Sequence, residues 1–325
     1  TPSPDALAWG RAHLSEFDLV VVHGLWNAST RLAWLLLAKS GMPYVVYPHG
    51  MLDPWFRRRY PIKHLAKQCL WSISEGHLVN SANYVLFTSE QEKELARGSF
   101  YPYRAKERVI NYGTTPPPPL DPGQETAFRA LLPALGTRAY LLYLSRIHEK
   151  KGCDLLIKAF AAIAADHPTL DLVIAGPDRE GLKPELQAIA RKAGIADRIH
   201  WPGMIVGPEK YGAYRGATAF VLPSHQENFG IVVAEALSCG CPALISDKVN
   251  IWQEIETSGS GLVAPDTLEG TKDMLRRFLD LDASERAAMR LAGPRVFQEK
   301  FSIDAASQDF LRTLEGLRPA MRPTL

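Results

Sequence analysis

The sequence predicts an α/β protein built from two doubly wound parallel sheets. Ten short β-branched or apolar runs alternate with amphipathic segments of helix length, the pattern of parallel strands with helices on both faces. A run of four prolines separates the first four of these runs from the last six. The chain has 325 residues, 46% hydrophobic and 22% charged, which suits two ordinary globular domains.

The first four strands are read in "DLVVVH" (Asp18 to His23), "YVVYP" (Tyr44 to Pro48), "YVLFTS" (Tyr84 to Ser89) and "RVINYG" (Arg108 to Gly113). At Thr115 the pattern breaks into "TPPPPLDPG", which favours an extended connector and fits neither a helix nor a central strand. The second series is "YLLYLSR" (Tyr140 to Arg146), "LDLVIAGP" (Leu170 to Pro177), "RIHWPG" (Arg198 to Gly203), "AFVLPS" (Ala219 to Ser224), "PALISD" (Pro242 to Asp247) and "GLVAP" (Gly261 to Pro265). Six strands complete a doubly wound domain. From about Thr267 onward only helical pattern remains. The expected division is 1–122, 123–300 and a helical segment 301–325 packing across the two domains. Two such domains create a cleft, and open parallel sheets bind ligands beyond the carboxyl ends of their strands. The first residue is Thr1 and the opening leads directly into a buried strand, so the first sheet is expected to be partial and the chain to begin within a longer protein.

Composition excludes several classes. Lysine plus arginine number 37 against 35 acids, and a net charge of +2 gives no general argument for nucleic-acid binding. Cys69, Cys153, Cys239 and Cys241 fit neither a redox pair nor a zinc spacing and are read as reduced and buried. "RLAWLLLAK" is about half the length of a membrane span. The expectation is a cytoplasmic protein.

Candidate chemistry collects just after strands. Arg146 ends "YLLYLSR", and Lys151 follows five residues on, before Gly152 and a helix. A guanidinium fork, an ammonium and helix-end amides together suit a pyrophosphate, although a solvated basic turn has the same sequence. After "AFVLPS" comes "SHQENFGIVVAEALSCGCP": strand, turn, then a helix closed by Gly240. Glu227 is placed in the loop, the amides of Asn228, Phe229 and Gly230 at the helix opening, and Glu235 about two turns in. The plainer alternative makes Glu227 a helix-end carboxylate and Glu235 a surface charge.

The combination of "SRIHEKKG", "AGP", "PGMI" and "PSHQENFGIVVAEALSCGCPALIS" resembles the retaining family 4 glycosyltransferases of the GT-B fold, with their E-x7-E motif. "HGLWN" and "YPHGMLDPWFRRRYPIKHLAKQ" are similar to the bacterial polysaccharide-assembly branch of that family. The resemblance implies a GT-B architecture of two Rossmann-like domains facing a cleft. It implies that Arg146 and Lys151 neutralise the nucleotide diphosphate in place of a metal ion. Glu227 would take the donor sugar's hydroxyls together with the amides of Asn228, Phe229 and Gly230, beside Ile231, and Glu235 would hold the ribose. The base would lie near Met204 and Ile205. His49 matches a histidine near the sugar's reacting carbon, and His23 and Asn27 would face the acceptor. Taken alone, a histidine such as His49 is more often structural.

The function so implied is retaining hexosyl transfer from a nucleotide sugar, UDP before GDP, to a saccharide or lipid-linked saccharide in cell-surface polysaccharide synthesis, with no cofactor or metal. A GT-B-fold sugar-nucleotide epimerase and a non-catalytic nucleotide-sugar-binding subunit are the alternatives. "WFRRRYPIKHLAKQ" groups Arg57, Arg58, Arg59, Lys63 and Lys67. It reads either as a basic amphipathic segment docking on anionic lipid headgroups, peripheral on the inner membrane face, or on a lipid-diphosphate acceptor, or else as a solvated loop and helix face.

Overall fold

A computed structural model describes residues 2–317. All ten expected strands form: β1 (Val20–His23), β2 (Tyr44–Tyr47), β3 (Tyr84–Phe87), β4 (Glu107–Val109), β5 (Ala139–Leu144), β6 (Leu170–Ala175), β7 (Ile199–Gly203), β8 (Ala219–Leu222), β9 (Ala243–Ser246) and β10 (Gly261–Ala264). Each is shorter than its apolar run. The residues that follow the central strands turn away from the sheet into loops at its carboxyl edge.

The chain divides into two compact units. One runs up to Asn111 and takes in the chain from Ala306 onward; the other is Tyr112–Ala305. The division therefore falls ahead of the prolines and not at residue 122. The physical reason is that the proline segment is fastened to the second unit: Arg215 donates to the carbonyls of Pro118 (2.6 Å) and Pro119 (3.3 Å). The boundary expected at residue 300 falls inside the last helix, Ile303–Glu315, which returns the chain to the first unit. Thr1 and the last eight residues of the 301–325 segment lie outside the described residues.

In the first unit the strands run in order β1-β2-β3-β4, all parallel. β2 is buried along its whole length, which its unbroken Tyr-Val-Val-Tyr run requires. The helix Ile303–Glu315 packs Phe310 against Tyr47, and Asp309 accepts the Asn111 amide at 2.8 Å just after β4.

In the second unit the order is β10-β9-β8-β5-β6-β7, again all parallel. Counted from β5, this is the 3-2-1-4-5-6 order of the dinucleotide-binding fold, and its switch point lies between β5 and β8. There the successive crossovers diverge to opposite sides, so a crevice opens beyond the two strand ends. Tyr140, Leu141, Leu142 and Tyr143 on β5 are fully buried, so the loops leaving β5 and β8 start from a rigid floor. Of the cysteines, Cys153 and Cys241 are buried and Cys239 is half-buried, but Cys69 is exposed because it lies on the outer face of a surface helix.

Candidate active site

The loop after β5 and the loop after β8 are stapled together at the switch point. Gly152 (φ +66°) sits so close to the Pro223 carbonyl that a Cβ there would lie 2.1 Å from its oxygen. Only glycine allows both the left-handed backbone and this approach. The Lys150 carbonyl accepts the His225 amide at 2.7 Å and the Ser224 hydroxyl at 2.8 Å. The staple delivers Lys151, 6% exposed, to Glu227, and its ammonium donates to the Glu227 carboxylate. Arg146 stands on the same loop with its side chain exposed, and among the described residues its guanidinium has no hydrogen bond or ion pair. One cation is thus committed and one is presented to solvent.

Glu227 is held by its backbone: its amide donates to Lys248 and its carbonyl accepts from Asn250, both at 3.0 Å. Its second carboxylate oxygen accepts the Asn228 amide at 3.2 Å. The following helix begins at Ile231 and not at Asn228, because Gly230 takes a left-handed φ of +73° as the residue capping its start. Glu235 is therefore the fifth helical residue, a little over one turn in and not two. The helix ends at Ser238, and Gly240 (φ +69°) turns the chain as expected.

The side chains near this turn separate. Phe229 is 5% exposed and packs edge-on against Tyr112 and Phe301, so only its backbone is left for a ligand. Ile231 is 45% exposed at the helix opening. After β7, Met204 is exposed while Ile205 is buried in the core. Glu235 is not a free surface charge: Lys210 donates to one of its oxygens at 2.8 Å and the Tyr214 hydroxyl to the other at 3.2 Å. Burial, with Glu235 next to it, pushes the Tyr214 phenol well above its ordinary range. Lys210 and Tyr214 lie on the helix Gly207–Gly216, and their carboxylate partner follows 25 and 21 residues further on, beyond β8. Their own spacing, one turn apart on a helix that follows "PGMI", is the signal available.

The first unit has its own cluster. β1 and β2 pair in register with His23 beside Tyr47, so their rings stack, 5.1 Å between centroids. His49 returns to the same face two residues after Tyr47 through a left-handed backbone (φ +51°), and Gly50 continues it at +72°. The imidazoles of His23 and His49 share a hydrogen bond, Nδ1 to Nε2, of 2.9 Å. Burial lowers the pKa of both, and for His49 a charge on His23 lowers it further. Sequence reasoning missed what holds the turn: the buried Glu92 carboxylate accepts the Gly50 amide at 2.6 Å. Asn27 starts the helix Ala28–Leu37, and its side-chain carbonyl takes the Thr30 amide (2.9 Å) and the Ser29 hydroxyl. That oxygen is a helix cap. Among the described residues no group of three or more His, Cys, Asp or Glu side chains is placed to hold a metal ion.

A doubly wound sheet whose switch-point loops carry Arg146, the Lys151–Glu227 pair and a glycine-opened helix has the layout of a nucleotide-binding α/β protein. The family model described as glycosyl transferases group 1 matches residues 124–295, and the chain belongs to that family; the glycosyl transferase 4-like domain matches residues 2–113. A D-inositol 3-phosphate glycosyltransferase of Actinosynnema mirum is 28% identical over 323 residues, 93% of this chain and 73% of that protein. One from Geodermatophilus obscurus is 32% identical over 177 residues, 49% of this chain and 39% of that protein. Among solved structures, the HepE protein of Anabaena in complex with UDP aligns at TM-score 0.79 with 18% identity, over 96% of this chain and 82% of that one. Sucrose-phosphate synthase of Thermosynechococcus elongatus aligns at 0.75 with 21% identity, over 97% and 78%. The fold is GT-B, and the protein is a glycosyltransferase of the family 4 type.

Proposed function

We propose that the protein is a retaining, metal-independent hexosyltransferase that takes a nucleotide sugar on Tyr112–Ala305 and serves cell-surface polysaccharide synthesis, with a saccharide or lipid-linked saccharide as acceptor. The observation that carries this reading is the Lys151–Glu227 pair at the switch point, with Arg146 on the same loop exposed and unpaired among the described residues. A departing nucleoside diphosphate gathers negative charge, and preplaced cations with helix-end amides are the largest kind of stabilisation available for it. Arg146 and Lys151 supply the cations; the amides at the glycine-opened start of Ile231–Ser238 supply the dipole.

Glu227 accepts donor-sugar hydroxyls and Glu235 the vicinal ribose hydroxyls. Both carboxylates already accept hydrogen bonds, and each oxygen has capacity for another. Neither is assigned as a nucleophile beneath the anomeric carbon. Retention then follows from attack on the face that the phosphate leaves, unlike the flanking carboxylate pair of a glycoside hydrolase. His49, neutral through burial and linked to His23, orients or stabilises the sugar or its leaving oxygen. UDP is favoured as the carrier nucleotide; HepE of Anabaena has been solved with UDP and with UDP-glucose. The acceptor is taken at an anionic membrane surface through the basic segment around Arg57–Lys67, which places the enzyme peripherally on the cytoplasmic face.

The test is a panel of UDP- and GDP-sugars with saccharide and lipid-linked acceptors, read by nucleotide release and by NMR of the product anomer. Transfer with the donor's anomeric configuration is expected. An inverted anomer overturns the mechanism, donor interconversion without acceptor makes the protein an epimerase, and binding without turnover makes it a non-catalytic subunit.

A further inference from the structure

The helix Pro61–Leu70 continues through Trp71–Glu75 into Gly76–Ser81, and it is apolar on two faces. Its inner face is spent on the core: Trp71, Leu78 and Val79 are buried, and Lys67 turns in over the rings of Trp26 and Phe56. Its outer face carries Ile62 at 85% exposure, Leu65 at 68%, Leu70 at 42% and Ile73 at 59%, with Cys69 also exposed. Positions 62, 65, 69 and 73 are steps of three and four, one stripe of a helix. A second apolar stripe pointing at water does nothing for the fold, so it needs an occupant.

Charge selects the occupant. Between Asp53 and Glu75 the chain has five Lys and Arg residues and no acid. Arg57, Arg58, Arg59 and Lys63 are exposed at the head of the stripe. A second copy of the chain docking through this face would bring the same four cations of both copies together, since a two-fold interface is self-complementary. A bilayer of anionic lipids offers apolar depth beneath a negative surface, which matches both features. We propose that Ile62, Leu65, Cys69 and Ile73 insert among the acyl chains of an anionic membrane, with Arg57, Arg58, Arg59 and Lys63 at the headgroups. The proposal rests on the membrane-surface reading above and deepens it: docking is by insertion, and Lys67 takes no part.

The full chain is floated with phosphatidylcholine vesicles with and without phosphatidylglycerol, at low and high salt, beside the Ile62→Ser/Leu65→Ser variant. In parallel, an environment-sensitive fluorophore is placed on Cys69 in a Cys239→Ser background. Expected are flotation that needs phosphatidylglycerol, a fraction that survives high salt, a blue shift of the label, and a loss of partitioning of about tenfold in the variant. Transfer to a soluble acceptor should stay unchanged in that variant. Binding that high salt abolishes and the variant retains would overturn insertion while leaving the anionic-surface reading in place. Absence of flotation overturns both. A dimer seen by light scattering that the variant dissociates assigns the stripe to self-association and overturns the proposal.

Discussion

The Glu92 carboxylate joins two loops of the first unit: one oxygen accepts the Gly50 amide at 2.6 Å, and the other accepts the Thr88 amide and hydroxyl, each at 2.8 Å. His49 precedes Gly50 in a backbone conformation that costs a non-glycine residue about 1–3 kcal/mol. Glu92 is thus the residue that makes the turn tolerable and aims the imidazole. Glu92→Gln replaces an acceptor oxygen by an NH2 facing donors, so stability should fall by about 1–3 kcal/mol in urea unfolding. Turnover should fall with little change in nucleotide affinity. A variant with unchanged turnover would remove Glu92 from any role in placing His49.

The two linked histidines make the first unit acid-sensitive. Their pKa values lie below the ordinary 6.5 in the folded protein because burial disfavours the charged rings. Below 6.5 the unfolded chain therefore binds more protons than the folded one, and stability falls with pH until the lowered values are reached. Melting temperature should drop as pH is taken from 7 to below 6.5, and His49→Gln should shrink that drop. An equal drop in wild type and variant would show that other groups carry it.

The strands were legible because parallel strands buried on both faces must be continuous apolar runs, as in "YVVY" and "YLLYL". Arg146, Lys151 and Glu227 could be placed because strand ends and glycines mark the switch-point loops. Glu92 could not: "SEQE" has the Ser-x-x-Glu pattern of a helix capping box, and Ser89 does cap the Glu92 amide at 3.1 Å. Its carboxylate instead reaches Gly50, a partner that depends on β2 and β3 lying side by side. Lys210 escaped for the same reason. The late helix start at Ile231 was hidden because Glu227 is tied by backbone bonds to residues 248–250, a tertiary fact that stretches the turn.

Arg146 and Lys151 should behave differently although both are assigned to the diphosphate. Arg146 is exposed and unpaired among the described residues, so Arg146→Ala should shift the stability of the free protein by no more than about 0.5 kcal/mol. It should abolish most of the rise in melting temperature that UDP produces, since a ligand stabilises only through its affinity for the folded state. Lys151→Ala leaves Glu227 without its cation in a largely buried place and should destabilise the free protein by about 3–5 kcal/mol. If UDP raises the melting temperature of Arg146→Ala as much as that of wild type, the pyrophosphate role is lost.

Glu227 and Glu235 are assigned to different parts of the donor, and their partners give the assignment separate consequences. Glu227 shares the switch-point loops with Lys151, which the proposed function gives to the sugar and diphosphate; Glu235 sits one turn into its helix, held from Gly207–Gly216 by Lys210 and Tyr214. Glu227→Ala should mainly lower turnover, while Glu235→Ala should mainly weaken UDP. Lys210→Met should weaken UDP too, because the Glu235 carboxylate loses the ammonium that fixes its direction and offsets its charge near an anionic ligand. The two changes act on one group, so their effects on UDP affinity should fall short of additive by about 0.5–3 kcal/mol in a double-mutant cycle read by calorimetry. Additive effects would make Lys210 an independent surface lysine. A UDP affinity untouched by Glu235→Ala would take the ribose away from this carboxylate altogether.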